Sequence, residues 1–395
     1  MTPAARTQAA IELVDLIVEA ARNGGAAADT VIARWFQARR FAGSKDRRAV
    51  RELVYAAIRR AGEVPASGRA AVVAFADEDA VLAATFDGSG YGPAPITADE
   101  PRADGGVAPR WLEEALVASG LDAAALPALV GRAPLDLRAN RLKATRDDVL
   151  AQLVDAEPIA AVPDGIRLPT GTNVEALPAF RDGLVEVQDA GSQIVGLALP
   201  AAPGSRIVDL CAGAGGKTLA LAARMGGEGA LLACDTDRAR LSRLAPRAER
   251  AGAGTVEVRL LDPKRELEAM PDWIGTADGV LVDAPCSGTG TWRRNPEARW
   301  RLNPDRLARF VAAQAHVLDL GAALTRPGGD LAYVVCSLLD AEGSDQIDAF
   351  LARHPGWTAA PLDLPAGRPR GKGLRLDSAH DDTDGFFVAR LTAPC

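Results

Sequence analysis

Histidine and cysteine are scarce in this 395-residue chain, with three of the first and five of the second. The cysteines, at 211, 234, 286, 336 and 395, are odd in number and far apart, and no C-x-x-C pair occurs. No metal site is expected, because structural zinc needs clustered Cys or His ligands. A disulfide framework is not expected either in a chain of this length without an export signal. The start, "MTPAARTQAAIELVDLIVEAARNGG", lacks the compact apolar block and cleavage site of a secretory leader. It reads instead as a folded helix. No apolar run approaches the roughly 20 residues of a bilayer span. The G-x-S-x-G elbow of serine hydrolases is missing, and His316, His354 and His380 lie outside the motifs treated below. These absences point to a cytoplasmic protein whose free cysteines either pack as small hydrophobes or do chemistry.

What is present is ordinary globular material, 48% hydrophobic and 25% charged, long enough for two or three domains. The net charge of −7 argues by itself against a nucleic-acid partner. Yet "RWFQARRFAGSKDRRAVRE" and "WRRNPEARWRLNPDRLAR" are locally basic and carry aromatic residues, as phosphate-contacting patches do. Residues 7–60 hold three segments with apolar residues at helical spacing, followed by the weaker "AAVVAFADEDAVLAATF". A Gly-, Pro- and Asp-rich stretch then reads as a linker. The expected divisions are a helical domain over 1–86, a linker over 87–108, a small α/β unit over 109–183 and a larger domain over 184–395.

From about Leu184 strands and helices alternate: "RIVDLCA", "ALLACD", "VEVRLLD", "GVLVDAP" and "DLAYVVCS" are apolar strands separated by helical stretches. That grain predicts a parallel sheet covered on both faces, an α/β Rossmann-like fold, with ligands beyond the carboxyl ends of the strands. The residues that stand out fall at those ends. "DLCAGAGGKT" is a Gly-rich strand-to-helix turn. It misses the phosphate loop, whose first glycine would fall on Cys211, and it misses the dinucleotide fingerprint, because position 218 is threonine. A nucleoside cofactor remains, with Asp235 to hold ribose hydroxyls and Asp262 beside the base. That is the S-adenosylmethionine arrangement.

Cys286 in "DAPCSGTG" and Cys336 in "YVVCSLLD" each end a strand-like run and precede serine. A thiolate facing a ligand crevice can attack carbon 6 of a cytosine, which makes carbon 5 nucleophilic enough to accept a methyl group. A carboxyl group such as Asp283 can hold the ring proton that eases the addition. Two cysteines, one aspartate and a methyl donor complete that reaction.

"VDAPCSGTGTWRRNPEARW" followed by "YVVCSLL" resembles the RsmB/Nop/Sun family of RNA cytosine-5 methyltransferases, and "DLCAGAGGKT" is similar to its cofactor turn. "LRANRLK", "VEVQDAGSQIV" and "TDGFFVARL" also resemble family segments. The resemblance implies that Cys336 is the nucleophile, that Cys286 assists release of the adduct and that Asp283 contacts the base. It places Cys211, Ala212, Gly213, Ala214, Gly215, Gly216, Lys217, Asp235, Asp262 and Asp283 around the cofactor. RNA contacts are expected at Arg138, Asn140 and Arg141 and at Arg293 and Arg294. "SKDRRAVRELVYAAIRR" resembles the NusB-like RNA-binding domain of the bacterial RsmB subgroup, which implies small-subunit (16S) ribosomal RNA as substrate. Two positions depart from the pattern: Ala214 stands in place of proline and Val335 in place of threonine. Transfer RNA as substrate and a catalytically retired assembly factor are the alternatives. A small-molecule methyltransferase would leave the front domain without a purpose. Nothing demands more than a monomer.

Overall fold

A computed structural model describes residues 1–395, and they divide into two compact units. The first unit comprises Met1–Arg132 together with Thr291–Pro304. Its helices are Pro3–Arg22, Ala28–Gln37, Ser44–Arg60, Gly68–Ala76, Ala80–Ala83 and Arg110–Ala118. Local sequence sets their starts: the Thr2 hydroxyl accepts from the Ala5 amide with Pro3 in the first turn, and Ser67 caps Ala70 in the same way. Leu13, Val14, Ile17, Val50, Val54, Ile58 and Val72 form a fully enclosed core. Gly68 allows the closest approach, since a Cβ there would lie 2.1 Å from the Ile11 carbonyl oxygen. The stretch "DAAALPALVG" winds as a 3-10 helix over Ala123–Val130, with Pro127 inside it.

The segment Thr291–Pro304 is built into this helical unit. Trp300 joins its core, and the Arg299 side chain, with no solvent exposure, donates to the carbonyls of Ile58 (2.6 Å) and Ala61 (2.8 Å). Those carbonyls end the helix Ser44–Arg60 and have no partner within it. Glu297 Oε1 accepts from the Ala28 amide at 2.9 Å, capping a helix whose own N-cap, Ala27, has no acceptor to offer. Arg301 donates to Gly25 and Ala26.

The second unit comprises Ala133–Gly290 and Asp305–Cys395. It opens with a small antiparallel sheet of Leu135–Ala139 (β1), Glu157–Pro158 (β2), Gly165–Leu168 (β3) and Val185–Val187 (β4), in the order β2-β3-β1-β4. Leu137, Val149, Ile166 and Val185 fill its core. The stretch "TRDDVLAQLV" forms a helix over Arg146–Leu150, with a full capping box between Thr145 and Asp148.

The large sheet contains Arg206–Asp209 (β5), Ala230–Asp235 (β6), Val256–Leu260 (β7), Ala277–Asp283 (β8), Thr325–Val335 (β9), Thr358–Ala360 (β10), Arg368–Arg370 (β11), Gly373–Leu376 (β12) and Phe386–Thr392 (β13). Strands β7-β6-β5-β8-β9 run parallel, and β13, β12 and β11 continue the sheet antiparallel beyond β9. The chain proceeds from β5 to β6 and β7 and then returns to the other side of β5 as β8. The carboxyl ends of β5 and β8 therefore flank the switch point, where ligands bind in such sheets. The stretch "TDRARLSRLAPRAERAG" forms two helices, Arg238–Leu241 and Leu244–Ala251, with Pro246 in the first turn of the second. Pro304–Leu324 is long and apolar enough to cross a membrane by composition alone, but it packs Leu318, Leu320 and Leu324 into the sheet core.

Candidate active site

The glycine-rich turn leaves β5 at Asp209 and starts the helix Gly216–Arg224. Gly215 takes φ +87°, and a Cβ there would lie 1.9 Å from Leu244 Cδ1, so only glycine lets the turn close on that helix. A Cβ at Gly216 would meet nothing within 4 Å, which marks open space in front of the turn. Asp235, at the end of β6, accepts the Gly213 amide on Oδ2 (2.8 Å) and the Asp237 amide on Oδ1 (2.7 Å). Each oxygen keeps a lone pair for a further donor. Asp262 follows β7 and is exposed. An open glycine turn with carboxylates at the next two strand ends fits a nucleoside whose hydroxyls and amino group donate. Ala214, in the position of the usual proline, has its carbonyl held by Arg247 Nη1 at 2.5 Å. Arg247 is itself anchored on the buried Glu186 of β4 at 2.7 Å. That guanidinium ties the turn at Ala214 to β4.

Asp209 is buried at the base of the crevice with its Oδ2 accepting from Thr218 (2.6 Å). Burial raises its pKa from 3.8 to about 7, and the charges of Asp283 and Asp235 add to the rise. Lys217, in the first turn of the helix, donates to Asp283 Oδ2 at 2.7 Å. Burial works against the Lys217 ammonium, but the Asp283 carboxylate outweighs it and holds the pKa above its ordinary value. The sulfur of Cys336 contributes in the same direction. Cys211 lies in this turn as well, its thiol pushed up by burial, while Cys234 is enclosed within β6 against the sulfur of Met270. Cys234 is thus packed as a small hydrophobe, whereas Cys211 keeps partial exposure.

β8 and β9 are parallel neighbours, with Asp283 level with Val334. Cys286 and Cys336 leave them in the same direction and bring their sulfurs to 3.3 Å, both as free thiols. The Gly290 amide donates to the Cys336 carbonyl at 3.0 Å, tying the two loops together. Hydrogen bonding to Cys336 raises the pKa of Cys286, and burial and the nearby Glu342 charge raise it further. Either sulfur can act as donor in this contact.

Residues 196–392 match the family described as 16S rRNA methyltransferase RsmB/F. The ribosomal RNA small subunit methyltransferase B of Salmonella typhi is 38% identical over 266 residues, covering 66% of this chain and 60% of that protein. The chain belongs to the RsmB/F family. It thus matches about three fifths of the length of that curated relative. The crystal structure of PH0851 has the same fold throughout, with a TM-score of 0.79, 24% identity and 99% of each chain covered. NSun6 from Pyrococcus horikoshii, solved with SFG, shares the fold over 72% of this chain and 98% of its own at a TM-score of 0.64 and 18% identity.

The motifs carrying the family resemblance thus lie at neighbouring strand ends: Asp235 bonds the Gly213 amide, Lys217 bonds Asp283, and Cys286 meets Cys336. The expected RNA contacts are placed differently. Arg138 is enclosed in β1, donating to Gln188 Oε1 at 2.7 Å, and burial draws its pKa down to about 10. Asn140 is enclosed too, bonding the carbonyls of Gly183 (2.9 Å) and Ala251 (2.8 Å). Arg293 is buried and Arg294 half-buried within the segment that joins the helical unit. As folded, Arg138, Asn140 and Arg293 are structural groups, because an enclosed side chain cannot reach a phosphate. Arg141 has an exposed side chain, paired with Asp164 at 2.5 Å. Sequence reasoning missed Glu342. It lies six residues past Cys336, and no local pattern indicates that it would turn back into the site.

Proposed function

We propose that this protein methylates carbon 5 of a cytosine in small-subunit ribosomal RNA, with S-adenosylmethionine as donor. The reading rests chiefly on two free thiols 3.3 Å apart at the ends of adjacent parallel strands, beside an Asp283–Lys217 pair. The fit of the glycine turn to a nucleoside and membership of the RsmB/F family support it. S-adenosylmethionine, held by the turn at Cys211–Lys217 and by Asp235 and Asp262, would supply an electrophilic methyl group. The name of the Salmonella relative favours small-subunit ribosomal RNA over transfer RNA.

In this reading the Cys336 thiolate adds to carbon 6 of the base. Asp283, its charge balanced by Lys217, holds the base on its ring-nitrogen edge while carbon 5 gains nucleophilic character. After methylation the carbon 5 proton passes to solvent water. The electron pair it leaves re-forms the C5=C6 double bond as the C6–S bond breaks, and that bond's own pair returns to the Cys336 sulfur. The Cys286 S–H donates to that sulfur as charge develops there, making the thiolate a better leaving group. The target base must be unstacked to expose carbon 6. Of the expected RNA set, Arg141 has an exposed side chain that could meet a phosphate.

The test compares wild type, Cys336→Ala and Cys286→Ala with labelled S-adenosylmethionine and small-subunit ribosomal RNA. Label on carbon 5 is expected with wild type and none with Cys336→Ala. A denaturant-stable protein–RNA adduct is expected with Cys286→Ala. An adduct with Cys336→Ala instead would reverse the two roles, and no transfer to any RNA would end this reading.

A further inference from the structure

Glu342 ends a short 3-10 turn, Asp340–Glu342, that follows β9 and Cys336. Its side chain has no solvent exposure. A carboxylate moved from water into a protein interior loses several kcal/mol of solvation unless donors replace the water. Glu342 has four. Its Oε1 accepts from the Ser287 amide at 2.8 Å and from Gln314 Nε2 at 2.9 Å. Its Oε2 accepts from the hydroxyl of Ser337 at 2.5 Å and from that of Ser287. All four donors are neutral, so the residue is not half of an ion pair.

The identity of the donors gives the arrangement its meaning. Ser287 follows Cys286, and Ser337 follows Cys336. A single carboxylate bonds the residue next to each sulfur, from two loops about 50 positions apart in the chain. Gln314, which also bonds Glu342, donates to the Pro285 carbonyl at 3.0 Å, so Cys286 is held on both flanks. The Tyr333 hydroxyl donates to the Glu342 carbonyl at 2.6 Å and fixes the turn against β9.

We infer that Glu342 is a positioning residue that holds the Cys286 thiol against the Cys336 sulfur and thereby sets the rate at which the methylated base is released. The inference rests on the methyl-transfer reading above. Addition needs only Cys336 and a bound base, whereas release needs Cys286 within hydrogen-bond reach of the departing sulfur. Loosening the two loops therefore slows release more than addition. Glu342 also places a negative charge near Cys286, which favours the protonated thiol that release uses.

Glu342→Gln tests this in the full chain, because the amide keeps the size of the side chain and one acceptor oxygen. Glu342→Ala serves as the stronger perturbation, with melting temperature recorded for both. In the first arm, diamide oxidises free thiols without RNA, two thiols giving up two electrons and two protons to the diazene to form a disulfide. Mass spectrometry then measures the rate of the Cys286–Cys336 cross-link. In the second arm, single-turnover reactions with labelled S-adenosylmethionine and small-subunit ribosomal RNA follow adduct formation and decay on denaturing gels. For Glu342→Gln we expect cross-linking and adduct decay each slowed by roughly tenfold or more, with adduct formation within about threefold of wild type, as for small misplacements of a reacting group.

Cross-linking at the wild-type rate in both variants overturns the positioning role. Slower cross-linking with addition and release reduced in equal proportion overturns the assignment to release, and leaves Glu342 a structural group. If wild type forms neither adduct nor product, the methyl-transfer reading fails, and the role assigned in release fails with it. The cross-linking arm then still decides whether Glu342 sets the spacing of the thiols.

Discussion

Asp209 gives the most demanding test of the physical picture. Its carboxyl is 1% exposed, and of its two oxygens only Oδ2 has a hydrogen-bond donor, the Thr218 hydroxyl. Burial therefore raises its pKa from 3.8 to about 7. Between those values the folded protein retains a proton that the unfolded chain has released. Stability attributable to this group is fully present below about pH 4, falls as pH rises, and is gone above the folded pKa near 7. A shift of about three units corresponds to about 4 kcal/mol, or about 1.4 kcal/mol for each pH unit inside the window. Asp209→Asn cannot ionise and still offers Thr218 an oxygen, so it escapes this loss. The assay is urea unfolding of both proteins at pH 5, 6, 7 and 8, following the same transition in each. The variant should gain on wild type by about 2 kcal/mol between pH 5 and 7 and by little beyond. A difference that stays constant across the series, or wild type gaining as pH rises, would refute the reasoning.

Three further substitutions probe separate parts of the structure. Arg247→Ala removes the bond to the Ala214 carbonyl, and calorimetric titration should show cofactor affinity lowered roughly tenfold, in line with one charged hydrogen bond. Gly215→Ala forces a Cβ into Leu244 at a positive φ, so thermal melting should report a loss of about 1–3 kcal/mol together with loss of cofactor binding. Arg299→Leu leaves the Ile58 carbonyl unpaired in the interior of the helical unit and the Ala61 carbonyl with only the Trp300 Nε1 donor. Limited proteolysis should then cut within residues 1–132 under conditions where wild type resists, reflecting about 3 kcal/mol of lost stability.

Much of the second unit was legible because its determinants are local. Apolar strands alternating with helices predict the parallel sheet, and each residue of the glycine turn and of the two cysteine motifs sits at a strand end. The meeting of Cys286 with Cys336 follows from β8 and β9 being neighbours, which the order of motifs alone does not show. Residues whose partners lie far away in the chain were misread. "WRRNPEARW" is basic in composition, yet Arg299 neutralises helix-end carbonyls and Glu297 caps a helix more than 260 positions earlier. Arg138 and Asn140 looked available because a strand pattern does not say which face a neighbouring helix will cover. Glu342 carries no motif at all, and only the folded turn brings it beneath both cysteines.

The insertion of Thr291–Pro304 into the helical unit has a consequence for biosynthesis. Residues 1–132 emerge from the ribosome first, but Trp300 and Arg299, which complete their core, follow about 160 residues later. At ~5–20 residues per second the nascent helices wait roughly 8–30 s with an unfilled core and uncapped helix ends. During that interval the intervening strands β1–β8 are being made. Closure of the first unit is thus timed by synthesis of the loop that carries Cys286, and a nascent chain arrested before residue 291 would display an incomplete helical bundle.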